Sequence, residues 1–331
     1  MAIQWLRCGH HVYVVSTCIQ SCAACSMLYH LLLQTVNTQQ SAGVSPGQPH
    51  LLDYDFSDKK EVEKAVNDLS SVTRRGSTYV IADEAGPIHK KRFGTFCEKL
   101  LTRVPRLHLW AANCFHGHAP AGWQVEYLTR PLRSPPTVVR EVDKDNIIRK
   151  GKSVRKYSKR GVPDHTDGPP VRQTCHEWSH SGDWPFNRPY DCVTCCREVA
   201  SFLHSLRVGV TENVHTIPTT IASTSNRTTP PCLQWRDVLM LIETSFSTIN
   251  DDIAIVKELR EAGIPVRVMK DDDIEDVATA HSDVVWVTED KRVRGLERKV
   301  VVCVRSSGNY TTNCLYSVSR CTSQLVIVSQ F

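Results

Sequence analysis

Apolar positions along the chain fall into short runs separated by segments with helical spacing. His11 to Ser16 is one such run, and Ala23 to Thr35 is longer, so Val12 to Val36 predicts a strand followed by a buried helix. Asp58 to Leu69 has helical spacing, Thr78 to Ala82 is a strand-like run, Arg92 to Leu101 is helical, and Leu107 to Ala111 is again strand-like. Parallel strands need long crossovers, which helices supply, so this alternation predicts a parallel α/β sheet. The final third repeats it: Arg236 to Ile242, the helix Asp252 to Ala262, Pro265 to Met269, Ile274 to Ala280, Val284 to Val287, Val300 to Val304 and Leu325 to Val328. A second α/β lobe is therefore expected.

Residues 143–230 differ, being rich in Pro, Gly, Ser, Thr, Arg and Cys, with helical spacing only near Arg197 to Leu206. The expected architecture is α/β, with parallel-sheet lobes over 1–142 and 231–331 joined by an irregular Cys/His-containing insertion. A length of 331 residues suits two cores, and 41% hydrophobic with 23% charged residues excludes a disordered chain. A net charge of +5 permits a polyanionic partner without requiring one.

The 14 cysteines are too scattered for a disulfide framework, so reduced thiols and a nuclear or cytoplasmic location are expected. Gln20, His30 and several serines interrupt the apolar stretch near the start, which argues against a signal peptide or a membrane span. The triplets Asn226-Arg227-Thr228 and Asn309-Tyr310-Thr311 keep a secreted alternative open.

Three stretches carry candidate chemistry. Tyr79-Val80-Ile81-Ala82-Asp83-Glu84-Ala85-Gly86 is an apolar strand ending in two carboxylates, and ligands of open α/β sheets sit beyond strand carboxyl ends. One carboxylate there can hold Mg²⁺ and the other can orient an attacking water; the alternative is a solvated turn. In Arg294-Gly295-Leu296-Glu297, the glycine lets backbone approach a phosphate and the glutamate can accept from a ribose hydroxyl. Arg320 lies in a helical segment before the last apolar run, where a guanidinium could stabilise charge on a transferring phosphoryl group or simply face solvent.

In this order the stretches resemble superfamily 1 helicases of the UvrD/Rep type, over roughly residues 11–142 and 232–330. Val14-Val15-Ser16-Thr17 followed by Ala23-Ala24 resembles motif Ia, implying that Thr17 faces single-stranded nucleic acid. Asp83-Glu84-Ala85-Gly86 resembles motif II, implying Mg²⁺ coordination by Asp83 and water activation by Glu84. Leu109-Trp110-Ala111-Ala112-Asn113 stands at motif III, with Asn113 in place of the family's glutamine. Leu128-Thr129-Arg130-Pro131-Leu132-Arg133-Ser134 resembles motif IV, with Arg133 as the γ-phosphate contact. Gly295-Leu296-Glu297 resembles motif V, with Glu297 at the ribose and Thr288 on the nucleic acid; Ser319-Arg320 resembles motif VI, with Arg320 as arginine finger.

The resemblance implies two RecA-like lobes, the first incomplete, with ATP and Mg²⁺ as cofactors and a single-stranded nucleic acid, DNA or RNA, as partner. The chain departs from the family in lacking a P-loop, which would lie upstream of Met1. Gly151-Lys152-Ser153 follows motif II and has Asn146 where the opening glycine should be, so it is not one. Motif V also lacks the usual histidine after Thr288 and has extra residues before Gly295. A helicase-like ATPase fragment, inactive alone, is the expected function.

The middle segment adds other candidates. The basic run Arg149 to Arg160 suits a phosphate backbone, a nuclear-import patch or a solvated linker. His176-Glu177-Trp178-Ser179-His180 has the spacing of a zinc-protease helix, but Pro169-Pro170 and Ser181-Gly182-Asp183-Trp184-Pro185 flank it and do not sustain a helix. A subset of Cys175, His176, His180, Cys192 and Cys195 reads either as a structural Zn²⁺ site or as reduced loop thiols, because Cys192-Val193-Thr194-Cys195 has knuckle spacing. The alternative function is a non-catalytic protein that binds protein partners through such a zinc module, and no membrane association is expected.

Overall fold

In the first sheet, a strict period of two sends alternate side chains to two different helical layers. The computed structural model describes residues 1–43, 45–72, 77–83, 85, 90–113, 119–120, 122–129, 133–145, 148, 150, 154, 167–177, 188–208, 233–244, 249–305 and 317–330. Strands β1 (Val12–Ser16), β2 (Pro49–Asp53), β3 (Thr78–Ala82) and β4 (Leu107–Ala111) form a sheet of order β2-β1-β3-β4. Every neighbouring pair is parallel. Val12, Val14 and Tyr79 face helices α1 (Ala2–Arg7) and α2 (Cys22–Ser41), and Val15, Val80 and Ala82 face α3 (Lys59–Ser71) and α4 (Lys90–Arg103).

The sequence accounts for these helices locally. Asp58 caps α3 by accepting from the Lys60 amide at 2.9 Å, satisfying one of the donors a helix start leaves open. Val62, Ala65, Val66 and Leu69 then form one apolar stripe, and Phe93, Phe96, Cys97 and Leu100 form the matching stripe of α4.

The second sheet joins β5 (Arg172–His176), β6 (Val238–Glu243), β7 (Val266–Val268), β8 (Val285–Glu289), β9 (Arg298–Arg305) and β10 (Cys321–Gln330) in the order β5-β10-β9-β6-β8-β7. All neighbours are parallel here too. Met240, Val302 and Val328 lie under helices α6 (Val193–Val208) and α7 (Ala254–Glu261). Leu241, Val301 and Ile327 lie on the opposite face, with α5 (Pro136–Val142) and α8 (Ile274–Thr279). Burial on both faces explains why Val238 to Ile242 reads as an unbroken apolar run rather than an alternating one.

The architecture is thus α/β with two parallel sheets. Parts of the stretch expected to be irregular are built into the second sheet: β5 pairs with β10, and α6 covers one face. Helix α5, inside the stretch assigned to the first lobe, packs Val138 and Val142 on the second. The lobes touch along α2, where Ala23 shares a core with Met269, Trp286 and Val293, and His30 Nε2 stands 3.3 Å from Glu275 Oε1. The 3₁₀ turn Ile19–Ser21 after β1 rests on the 3₁₀ turn Asp290–Val293 after β8, so a carboxyl edge of each sheet meets the other. Among the described residues no helix is long and apolar enough to cross a membrane.

Candidate functional site

The chain leaves β1 toward β2 on one side and leaves β3 toward β4 on the other, which makes the β1/β3 carboxyl ends the first sheet's switch point. Thr17 and Asp83 follow those two strands directly. Thr17 is 2% exposed; its amide donates to Ser21 Oγ at 3.2 Å and its carbonyl accepts from the Phe56 amide at 2.9 Å. It therefore stabilises the turn after β1 and is not an open surface residue. Asp83 is half-buried beside the first turns of α2: burial, and then the charge of Asp83, push the Cys25 thiol well above its ordinary value.

Asn113 follows β4 and donates from Nδ2 to the carbonyl of Ala85. Ala85 in turn donates to Ala112, and Ala112 to Ala82, each at 2.8 Å, so the β3/β4 ladder continues into the loop that carries Asp83. In this arrangement Asn113 fixes backbone.

A second group forms on the other lobe. Arg133 Nη2 stands 2.8 Å from Glu297 Oε2, and Ser134 Oγ donates to the Ser319 carbonyl at 3.4 Å. Arg320 is 4% exposed and donates from Nη1 to the Leu296 carbonyl at 3.4 Å. Burial raises the Glu297 carboxyl above its usual value, while Arg133 and Arg320 pull it back. Gly295 has φ 78°, a left-handed turn that delivers Leu296 into the core and Glu297 to the two arginines. The structure thus brings together Arg133, Glu297 and Arg320, and separately ties Asn113 to the Asp83 loop.

Asp290 was missed by sequence reasoning. It is 1% exposed, and neither carboxylate oxygen makes a well-formed hydrogen bond among the described residues. Burial and the neighbouring charge of Glu243 raise it to about 6, against the opposing charges of Lys291 and Arg320. The available signal was the same one that singles out Asp83, carboxylates directly after an apolar strand. Thr288, at the end of that strand, is also buried, and its hydroxyl has no hydrogen-bond partner among the described residues.

The third group is a buried Cys/His cluster. His176 ends β5, Cys192 directly precedes α6 and Cys195 lies in its first turn. His176 Nδ1 is 3.4 Å from Cys195 Sγ, the Cys195 amide lies 3.5 Å from Cys192 Sγ, and the three ligand atoms all fall within 4.8 Å of one another. Burial first, and Cys192 next, push the Cys195 thiol up to about 12. These residues could hold a metal ion. His176 sits on a strand, which removes the helix a zinc-protease pair requires.

Cys175 does not join the cluster. β5 pairs Thr174 with Val328 and Cys175 with Ser329, so alternation places Cys175 on the sheet face opposite His176. Glu84, Gly86 and His180 lie outside the described residues, as do Gly151-Lys152-Ser153, both asparagine triplets and, apart from Lys150 and Val154, the basic run 149–160. No family model matches the chain, and no curated protein matches it.

Proposed function

We propose that this chain carries the helicase-like halves of a superfamily 1 NTPase that acts with single-stranded nucleic acid, using ATP and Mg²⁺. The observation that supports it most is the meeting of Arg133, Glu297 and Arg320, which come from distant stretches of the chain. In this reading Asp83 would hold Mg²⁺, which would neutralise phosphate charge, and Glu84 would orient the attacking water. Arg133 is exposed and would have to leave its ion pair with Glu297 to reach a γ-phosphate, whereas Arg320 is buried against Leu296 and would reach one only if the 296–297 turn shifts.

The 331 residues contain no Gly-x-x-x-x-Gly-Lys-Ser/Thr sequence, so the backbone cradle for a β-phosphate is missing and nucleotide affinity of the chain alone is low. The test extends the chain at its amino end with a P-loop-bearing segment and measures nucleic-acid-stimulated ATP hydrolysis. Glu84→Gln and Arg133→Ala should each lower turnover by about 1000-fold without altering thermal unfolding. Near-parental turnover in both variants rejects the reading.

A second reading, a non-catalytic interaction protein, is favoured by the buried cluster of His176, Cys192 and Cys195. Bound metal, together with no measurable affinity of the P-loop-extended chain for ATP or a labelled single-stranded oligonucleotide, decides for it.

A further inference from the structure

We infer that His176, Cys192 and Cys195 supply three of the four ligands of a tetrahedral zinc ion that fastens the edge strand β5 to the start of helix α6. The inference stands apart from the nucleotide reading. It begins with how the residues arrive at one point. Thr174 pairs with Val328, whose side chain lies in the core under α6, so His176, two residues on, faces the same way. Cys192, in extended backbone just before α6, accepts from the Cys195 amide in the first turn of the helix, and both side chains lie in the core on that face.

The distances fit the metal. Tetrahedral zinc, with Zn–S about 2.3 Å and Zn–N about 2.0–2.1 Å, separates a nitrogen and a sulfur ligand by roughly 3.5 Å and two sulfurs by roughly 3.8 Å. His176 Nδ1 and Cys195 Sγ are 3.4 Å apart, and no pair of the three exceeds 4.8 Å. The donor set selects the element: two thiolates and an imidazole suit zinc and are poor ligands for Mg²⁺ or Ca²⁺. Two thiolates also cancel the ion's charge, so the buried site carries no net charge.

Two other readings of the cluster are weaker. A redox Cys-x-x-Cys pair needs a thiol open to its partner, and both cysteines here are 1% exposed. Plain core thiols are exemplified next door by Cys196, whose sulfur, among the described residues, approaches the Pro189 and Tyr190 carbonyls and no imidazole. There is also a structural need for a tie. The β5 sequence Arg172-Gln173-Thr174-Cys175-His176 has no apolar pattern, and among the described residues β10 is its one sheet neighbour. Coordination supplies the cohesion that hydrophobic burial does not.

The test measures metal in the purified chain and then titrates metal-free protein with Co²⁺. About one zinc per chain is expected, and Co²⁺ should give tetrahedral d–d bands with thiolate charge-transfer absorption. His176→Ala, Cys192→Ser and Cys195→Ser should each weaken zinc binding roughly 100-fold, one ligand's share of the whole, while Cys175→Ser keeps the full equivalent. Chelation should lower the Tm of the parent by more than that of Cys195→Ser. Metal-free parent protein that gives no thiolate–cobalt band overturns the inference even where the variants fail to fold. So does a Cys192–Cys195 disulfide found by mass spectrometry, or a loss of metal in Cys175→Ser equal to that in Cys195→Ser.

Discussion

Replacing Asp290 with asparagine removes a carboxyl that the fold buries at the seam between the two lobes. Its value rises from 3.8 to about 6, because burial and Glu243 disfavour the anion more than Lys291 and Arg320 favour it. Such a group binds its proton more tightly folded than unfolded. Below pH 3.8 both states are protonated and nothing is lost; as pH rises from about 4 through 6, the native state must give up the proton and stability falls. The full loss corresponds to about 3 kcal/mol above pH 7. The amide of Asp290→Asn has nearly the same shape and does not titrate, so any cost of burying it is the same at every pH. Thermal unfolding of both proteins should therefore show a variant-minus-parent gap that widens with pH. At about 2–4 °C per kcal/mol for a domain of this size, it should grow by roughly 6–12 °C between pH 4 and pH 8. A gap that stays constant across that range refutes the claim that Asp290 ionises at a cost to the fold.

Two further outcomes follow from packing. A Cβ at Gly47 would collide with the backbone carbonyl of His10, so Gly47→Ala should destabilise the first lobe by about 1–3 kcal/mol, read by urea denaturation. Ala23 is fully buried between α2 and the core containing Trp286 and Val293, so Ala23→Leu should cost a similar ~1–3 kcal/mol and split thermal unfolding into two transitions as the lobes separate. A single unshifted transition would contradict the shared core.

The strands that read most clearly in the sequence are those buried on both faces, such as β6 and β9, where tertiary demand forces a continuous apolar run. The edge strands β2 and β5 were not legible. Pro49-His50-Leu51-Leu52-Asp53 and Arg172-Gln173-Thr174-Cys175-His176 are partnered on one side and carry polar side chains, so neither leaves a period-two signature. The same gap hid which cysteine belongs to the metal cluster. Spacing nominated Cys175 alongside His176, and only the knowledge that both lie on a strand separates them. Gly295 and Glu297 were nominated for contacts with nucleotide, yet the positive φ of the first explains its presence through the turn alone. For Asp290 the sequence carries the position, directly after an apolar strand, and not the burial, because the turn that packs on it belongs to the other lobe.

Helix α2 connects these observations. Its stretch from Ala23 to Ser26 is buried, because the first sheet lies behind it, with Cys25 Sγ 3.5 Å from the Val15 carbonyl, while the second lobe's core lies in front at Ala23. Two-sided burial is why this stretch resembles a membrane segment in its hydropathy without being long or uniform enough to be one. Small side chains there let the two lobes approach closely, and they make a surface with few interlocking knobs. Such a seam would permit shear along α2 and α8, with the turns 19–21 and 290–293 in contact across it. Asp290 lies in the second of those turns. The protonation state of its carboxyl and the tightness of that seam are consequently linked.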